Sequence, residues 1–169
     1  MNWRRMWRHL VTDERAAHRL FPAATLKRLE FATRHGEQMH TGQVRLAIED
    51  SLPLAAVRRD LSPRERAIDV FSALRVWDTA ENDGVLVYLL IADQAVEIVA
   101  DRGIARKVNP ATWQSICSKM EERFRAGDFA DGVQVGLVEI GALLSVHFPR
   151  RTGDTETQSN DLPDAPVML

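Results

Sequence analysis

The feature that most constrains the fold is an unbroken apolar run of eight residues, Val85–Ala92. A second run, Ala95–Ala100, follows after the polar pair Asp93-Gln94 and alternates between its two faces. Two runs of strand length with one short polar break predict an antiparallel β-hairpin. Because the first run is apolar at every position, we expect it to be a central strand covered on both faces, whereas one face of the second strand is less deeply buried.

The rest of the pattern adds one strand and several helices. Gln43–Glu49 alternates as a further strand. Ser62-Pro63-Arg64-Glu65 is a capping box with proline at the first helical position, and Asn109-Pro110 begins a later helix in the same way. The order of elements predicts an α/β fold, a three-layer α/β/α sandwich. Its small mixed sheet joins a strand–helix unit to the hairpin and carries helices on both faces.

Composition favours one soluble domain. A chain of 169 residues suffices for a single core, and a net charge of −2 indicates no nucleic-acid partner. No apolar run reaches the roughly 18 residues of a membrane span, so we expect a cytoplasmic protein. The single cysteine, Cys117, lies on an apolar stripe and is interpreted as a core residue. The five histidines lack zinc-ligand spacing, and no phosphate loop, nucleophile elbow or HExxH motif occurs.

Residues 1–20 differ from the remainder, with five arginines against two acids. Trp3, Trp7 and Leu10 fall on one stripe of a helix, with the arginines mostly off it. Tryptophan and arginine in this pattern are typical of a helix at an anionic membrane surface, on the inner face in this case. The alternative is a terminal helix that docks this stripe on its own domain or on another protein. The candidate contact residues are Trp3, Arg4, Arg5, Trp7 and Arg8.

The main domain is predicted over residues 21–148. From Pro149 the chain turns polar and carries a surplus of acidic residues. Too few apolar side chains are present to offset the entropy of ordering, so we expect a disordered tail over residues 149–169.

Polar loop residues should collect at one end of the sheet. Parallel strands begin at the same end, and the hairpin returns the chain to it, which brings together Asp78, Asn82, Asp83, Asp101 and Arg102. Hard oxygen ligands on loops suit Ca²⁺ or Mg²⁺, so the first four are candidate metal ligands. Arg102 is the candidate phosphate-binding residue. The alternative is that these side chains satisfy backbone groups within their own loops.

Two segments carry a resemblance to a known family. They are Asn82-Asp83-Gly84-Val85-Leu86, within the longer stretch ENDGVLVYLLIADQAVEIVADRGI, and Phe124-Arg125-Ala126-Gly127-Asp128-Phe129. The chain resembles the TPM domain, also described as the thylakoid-lumen acid-phosphatase-like domain, over about residues 20–148. It looks like a short soluble bacterial-type member. The resemblance implies a three-layer α/β/α sandwich.

The resemblance also implies two possible functions. Some TPM domains are described as divalent-cation-binding acid phosphatases, while most have no assigned activity. The family's third strand usually carries an acid followed by Gly-Tyr-Gly, but here Val99 replaces the acid, Asp101 replaces the first glycine, and only Gly103 is retained. We therefore expect a non-catalytic binding or accessory module, linked to membrane or envelope protein maintenance. The alternative is a weak phosphomonoesterase that uses Ca²⁺ or Mg²⁺; no catalytic residue is assigned.

Overall fold

The computed structural model describes residues 2–13, 15–150 and 161–169, and a four-stranded mixed sheet lies at its centre. In spatial order the strands are β3 (Ala95–Ala100), β2 (Gly84–Leu90), β1 (Gln43–Glu49) and β4 (Val167–Met168). β1 is parallel to both β2 and β4, and β3 is antiparallel to β2. The predicted first strand, the hairpin and the mixed sheet are confirmed.

β2 is a central strand, and every one of its side chains is buried. Alternate residues belong to two core clusters on opposite faces: Val85, Val87 and Leu89 on one, and Leu86, Tyr88 and Leu90 on the other. The strand ends at Leu90, two residues earlier than predicted. The difference arises because Ile91–Asp93 forms a 3₁₀ turn and Gln94 adopts a left-handed conformation with φ 51°, which reverses the chain.

Helices cover both faces of the sheet. In the part of the chain that the structure describes they are α1 (Trp3–Val11), α2 (Ala16–Leu20), α3 (Ala23–Glu37), α4 (Leu54–Arg58), α5 (Pro63–Ala73), α6 (Arg102–Ala105), α7 (Pro110–Arg125) and α8 (Phe129–His147). α3, α7 and α8 pack on the first cluster, and α4 and α5 on the second. The predicted three-layer sandwich is confirmed, as is the capping box at Ser62.

α8 is long and apolar enough to cross a membrane. Seven of its 19 residues are buried within the domain, and core helices of soluble proteins have the same composition. At Gly136, a Cβ atom would overlap the Met120 side chain of α7, so this glycine permits close packing of the two helices.

The C-terminal end departs from the prediction. The expected disordered tail is wrong for residues 149–150 and 161–169, and residues 151–160 lie outside the described residues. Leu162 is buried in the second cluster, and Leu169 N donates a hydrogen bond to Ile48 O at 2.9 Å. The C-terminal segment is ordered because the edge of β1 offers hydrogen-bond partners to its backbone and the core accepts Leu162. Neither contact can be inferred from the composition of the segment.

The close approach at Gly84 yields a stability prediction. A Cβ atom there would overlap the Val76 carbonyl oxygen, so we expect Gly84→Ala to lower the free energy of unfolding by ~3 kcal/mol or more. In the control Gly141→Ala, the nearest atom to the new Cβ lies 3.9 Å away. That change should stabilise α8 by up to ~1 kcal/mol. Urea unfolding of both variants measures the difference; similar midpoints would contradict the packing described.

Candidate functional site

The loops that should converge at one end of the sheet do so. Asp101 N donates to Gly84 O at 2.8 Å, and Gly103 N donates to Asn82 O at 2.9 Å. These bonds tie the start of β2 to the end of β3. We call this end the acidic pole, and define it by Asp78, Asn82, Asp83, Asp101 and Arg102.

Two carboxylates of the acidic pole are more than nine-tenths buried, those of Asp83 and Asp101. Each has an Oδ2 atom with no hydrogen-bond partner among the described residues. Burial is the main reason that the pKa of Asp83 is raised. The other oxygen of Asp101 accepts from Arg102 N at 2.6 Å and so caps α6. A buried, unpartnered carboxylate oxygen suits a cation, and this is the observation that fits a metal best.

The remaining members of the acidic pole are arranged less favourably for a metal. Asp78 is exposed and pairs with Arg75 at 2.6 Å. Asn82 Oδ1 accepts from the exposed Arg102 at 3.0 Å. No group of three His, Cys, Asp or Glu side chains within the described ranges is placed to share one ion. Asp83 directly precedes β2 and Asp101 directly follows β3. The acidic pole therefore contains two buried carboxylates at neighbouring strand ends and an Asn82–Arg102 pair.

The N-terminal helix docks through its polar face. The Asp93 carboxylate accepts from Arg5 Nε at 2.9 Å and from Arg8 at 2.8 Å. His9 Nδ1 accepts from Leu52 N, which places the imidazole proton on Nε2, 3.2 Å from Asp93 Oδ2. Burial alone raises the pKa of Asp93, but the close approach of His9 and the hydrogen bond from Arg5 outweigh it and lower the pKa to about 2. α1 is thus fixed to the hairpin turn by a buried ion pair.

The tryptophan stripe is left in solvent by this docking. Trp3, Trp7 and Leu10 are each more than half exposed. The alternative in which the stripe docks on its own domain is therefore wrong, because the opposite face, with Arg5 and His9, finds the buried partner. The candidate contact residues that remain accessible are Trp3, Arg4, Trp7 and the half-exposed Arg8, whereas Arg5 is mostly buried.

A second polar cluster was not visible in the sequence. Glu37, the last residue of α3, and His40, in the turn that follows, are both buried. Arg150 donates to the backbone carbonyls of both, and Asp164 lies beside the Glu37 carboxyl. Asp164 Oδ2 accepts from Arg34 at 2.9 Å across 130 residues of chain. We call these five residues the Glu37 cluster. Only tertiary contact with the C-terminal segment brings them together, so no local pattern could have identified them.

Burial controls the protonation of the Glu37 cluster. It raises the pKa of Glu37 to about 8; the hydrogen bond from Val44 N opposes that shift, and the charge of Asp164 adds to it. Burial also lowers the pKa of His40 to about 4. Near neutral pH the cluster therefore contains a protonated carboxyl beside Asp164. Cys117 shows the same effect: burial raises the pKa of its thiol to about 12, in agreement with a core role.

The fold and these sites define a small α/β module with helices on both faces of a mixed sheet. Comparison with known families identifies it: the TPM domain profile matches residues 15–143, and the chain belongs to the TPM domain family.

Two solved structures share the fold. The BA42 protein of the psychrophilic bacterium Bizionia argentinensis, determined by NMR, is similar with a TM-score of 0.75 and 25% identity. The match covers 88% of this chain and 95% of BA42. The N-terminal domain of a protein from P. gingivalis has a TM-score of 0.62 at 16% identity, with 79% and 83% covered. No curated protein matches the chain.

The Glu37 cluster yields a pH prediction. Because the fold raises the pKa of Glu37 from 4.5 to about 8, its contribution to stability is complete below pH 4.5 and is lost as the pH rises through 8. For this one group, the free energy of unfolding changes by at most ~1.4 kcal/mol per pH unit. We expect Glu37→Gln to flatten the unfolding free energy between pH 5 and 8, measured with urea. Glu122→Gln, at an exposed position of α7 outside the cluster, is the control and should keep the wild-type slope. Parallel curves for wild type and Glu37→Gln would exclude this role.

Proposed function

We propose that this TPM domain is a non-catalytic accessory module that docks on an anionic membrane surface through α1. The observation that carries the proposal is the orientation of α1. Its polar face is held by Asp93, while Trp3, Trp7 and Leu10 point into solvent. Membrane or envelope protein maintenance on the cytoplasmic side is the setting that this proposal favours.

Two physical arguments support lipid as the occupant. The stripe is carried by a helix already formed and fixed to the domain, so little conformational entropy is lost when it docks. α1 contains no acidic residue, and the exposed Arg4 flanks the stripe, whereas the half-exposed Arg8 is already paired with Asp93. Each cation near an anionic surface contributes about 1 kcal/mol, and tryptophan favours headgroup depth.

Flotation with lipid vesicles tests this proposal. We expect the full chain to bind vesicles that contain phosphatidylglycerol and not pure phosphatidylcholine, with binding that weakens as salt rises. The double variant Trp3→Ser, Trp7→Ser should lower the bound fraction about tenfold, since the apolar part of the contact is removed. Trp77→Ser is the matched control because Trp77 is also exposed, at 46%, but lies outside α1. Equal flotation of the double variant and the control would overturn the proposal.

A second candidate function rests on the buried carboxylates. Asp83 and Asp101 each have an unpartnered oxygen, and Arg102 is exposed beside them, which favours a metal-assisted phosphomonoesterase. A bound Ca²⁺ or Mg²⁺ would supply Lewis-acid activation of a phosphate ester. Asp83 and Asp101 would hold the ion, and Arg102 would orient the phosphate. We prefer the binding module because no group of three His, Cys, Asp or Glu side chains among the described residues is placed to share one ion.

An assay separates the two functions. We expect no turnover of p-nitrophenyl phosphate at pH 5 or 7, with Mg²⁺, Ca²⁺ or EDTA, and at most a small Ca²⁺-dependent rise in melting temperature. A divalent ion present at a hundredfold excess over its Kd would raise the free energy of unfolding by ~2.7 kcal/mol. Divalent-dependent turnover that Asp83→Asn abolishes, and that Asp78→Asn leaves intact, would establish the enzyme instead.

A further inference from the structure

A groove between α3 and α8 lies outside every site described above. It encloses about 510 Å³. Large apolar side chains stand at its rim, and Phe31, Met39 and Val138 are 60–68% exposed. Small residues, including Gly36 and Gly141, form part of its lining. A concave apolar volume of this size is in the range of small-molecule sites.

The groove carries a cation without an acid. Arg28 lines it together with His35 and the uncharged polar residues Gln134 and Ser145, and no acidic residue does. Arg28 is exposed and has no ion-pair partner among the residues that the structure describes. His35 stacks on Phe31 with ring centroids 5.9 Å apart. The groove therefore presents uncompensated positive charge beside apolar surface.

The two helices place this charge at one end of the groove. Gly141 of α8 faces Gly36 near the C-terminal end of α3, and Arg150 N, just after α8, donates to Met39 O, just after α3, at 3.3 Å, so the two helices run in the same direction. Gln134, near the start of α8, consequently lies at the same end of the groove as Arg28. From Arg28 to Gly36 the lining follows α3 over eight helical steps, or ~12 Å, and Met39 extends it into the turn after the helix. The groove is thus polar at one end and apolar along its length.

We propose that the α3/α8 groove binds a long-chain carboxylate, with the alkyl chain between the helices and the carboxylate at Arg28 and Gln134. Arg28 would donate a charge-assisted hydrogen bond to the head group, and the Gln134 amide would donate a second. A second copy of the chain fits less well. An isologous contact would bring the cationic linings of two copies together without an acid in either lining to neutralise them.

Titration calorimetry with laurate below its micellar concentration tests the proposal on the full chain. We expect saturable binding with one site. Arg28→Gln should weaken laurate about tenfold, the value of one charge-assisted contact, and leave the neutral analogue dodecanol unchanged. Gly141→Leu should abolish binding of both, because the new side chain fills the groove where a Cβ meets no close atom. Val146→Leu adds the same kind of bulk to α8 outside the groove lining and should bind like wild type.

Three results would each contradict the proposal. Absence of saturable laurate binding, or an equal affinity in Arg28→Gln and wild type, would overturn the proposal. The same holds if light scattering shows a dimer that Gly141→Leu dissociates, since the groove would then be an interface between copies. The Trp3→Ser, Trp7→Ser variant should bind laurate normally, so failure of vesicle docking and failure of the groove are distinguishable.

Discussion

The fold depends on covering both faces of β2, and one buried carboxylate ties its second face to the neighbouring elements. Glu49, at the end of β1, accepts from the Tyr88 hydroxyl of β2 at 2.6 Å and from two nitrogens of Arg66 on α5, both at 2.9 Å. Burial is the first cause that raises the pKa of Tyr88, so this residue stays a neutral donor. Removal of the cation from a buried ion pair lowers the free energy of unfolding by about 3–5 kcal/mol. The pairing of β1 with β2 and the position of α5 are therefore fixed together.

The functional surfaces are distributed around this frame by strand direction. The acidic pole lies where β2 begins, and Asp93, which holds α1, lies just beyond the other end of the strand. Seven residues of extended chain separate the two by ~23 Å. A module docked through α1 would leave the acidic pole toward the solvent. The α3/α8 groove belongs to the outer helical layer on one face and depends on neither end.

The sequence predicts what depends on local periodicity and on strand direction. Alternation gives the bounds of β1 and β3, and the antiparallel hairpin predicts that Asp83 and Asp101 lie at the same end of the sheet. Periodicity cannot tell which face of α1 docks, because that choice depends on the buried Asp93 of a distant turn. It also cannot reveal the Glu37 cluster, which joins the end of α3 and the turn after it to residues that follow α8. β4, with two residues, is too short to have any period of its own.

The pairing of β4 with β1 has a consequence for the order of folding. The two strands are separated by roughly 120 residues of chain, and contacts of such long range form late. Until β4 arrives, the edge of β1 presents unpaired N–H and C=O groups, and an open edge is a template for pairing between molecules. Exchange of the C-terminal segment between two refolding chains is thus the misassembly that this topology favours. Dilution during refolding favours the closed monomer, since closure is unimolecular and exchange is not.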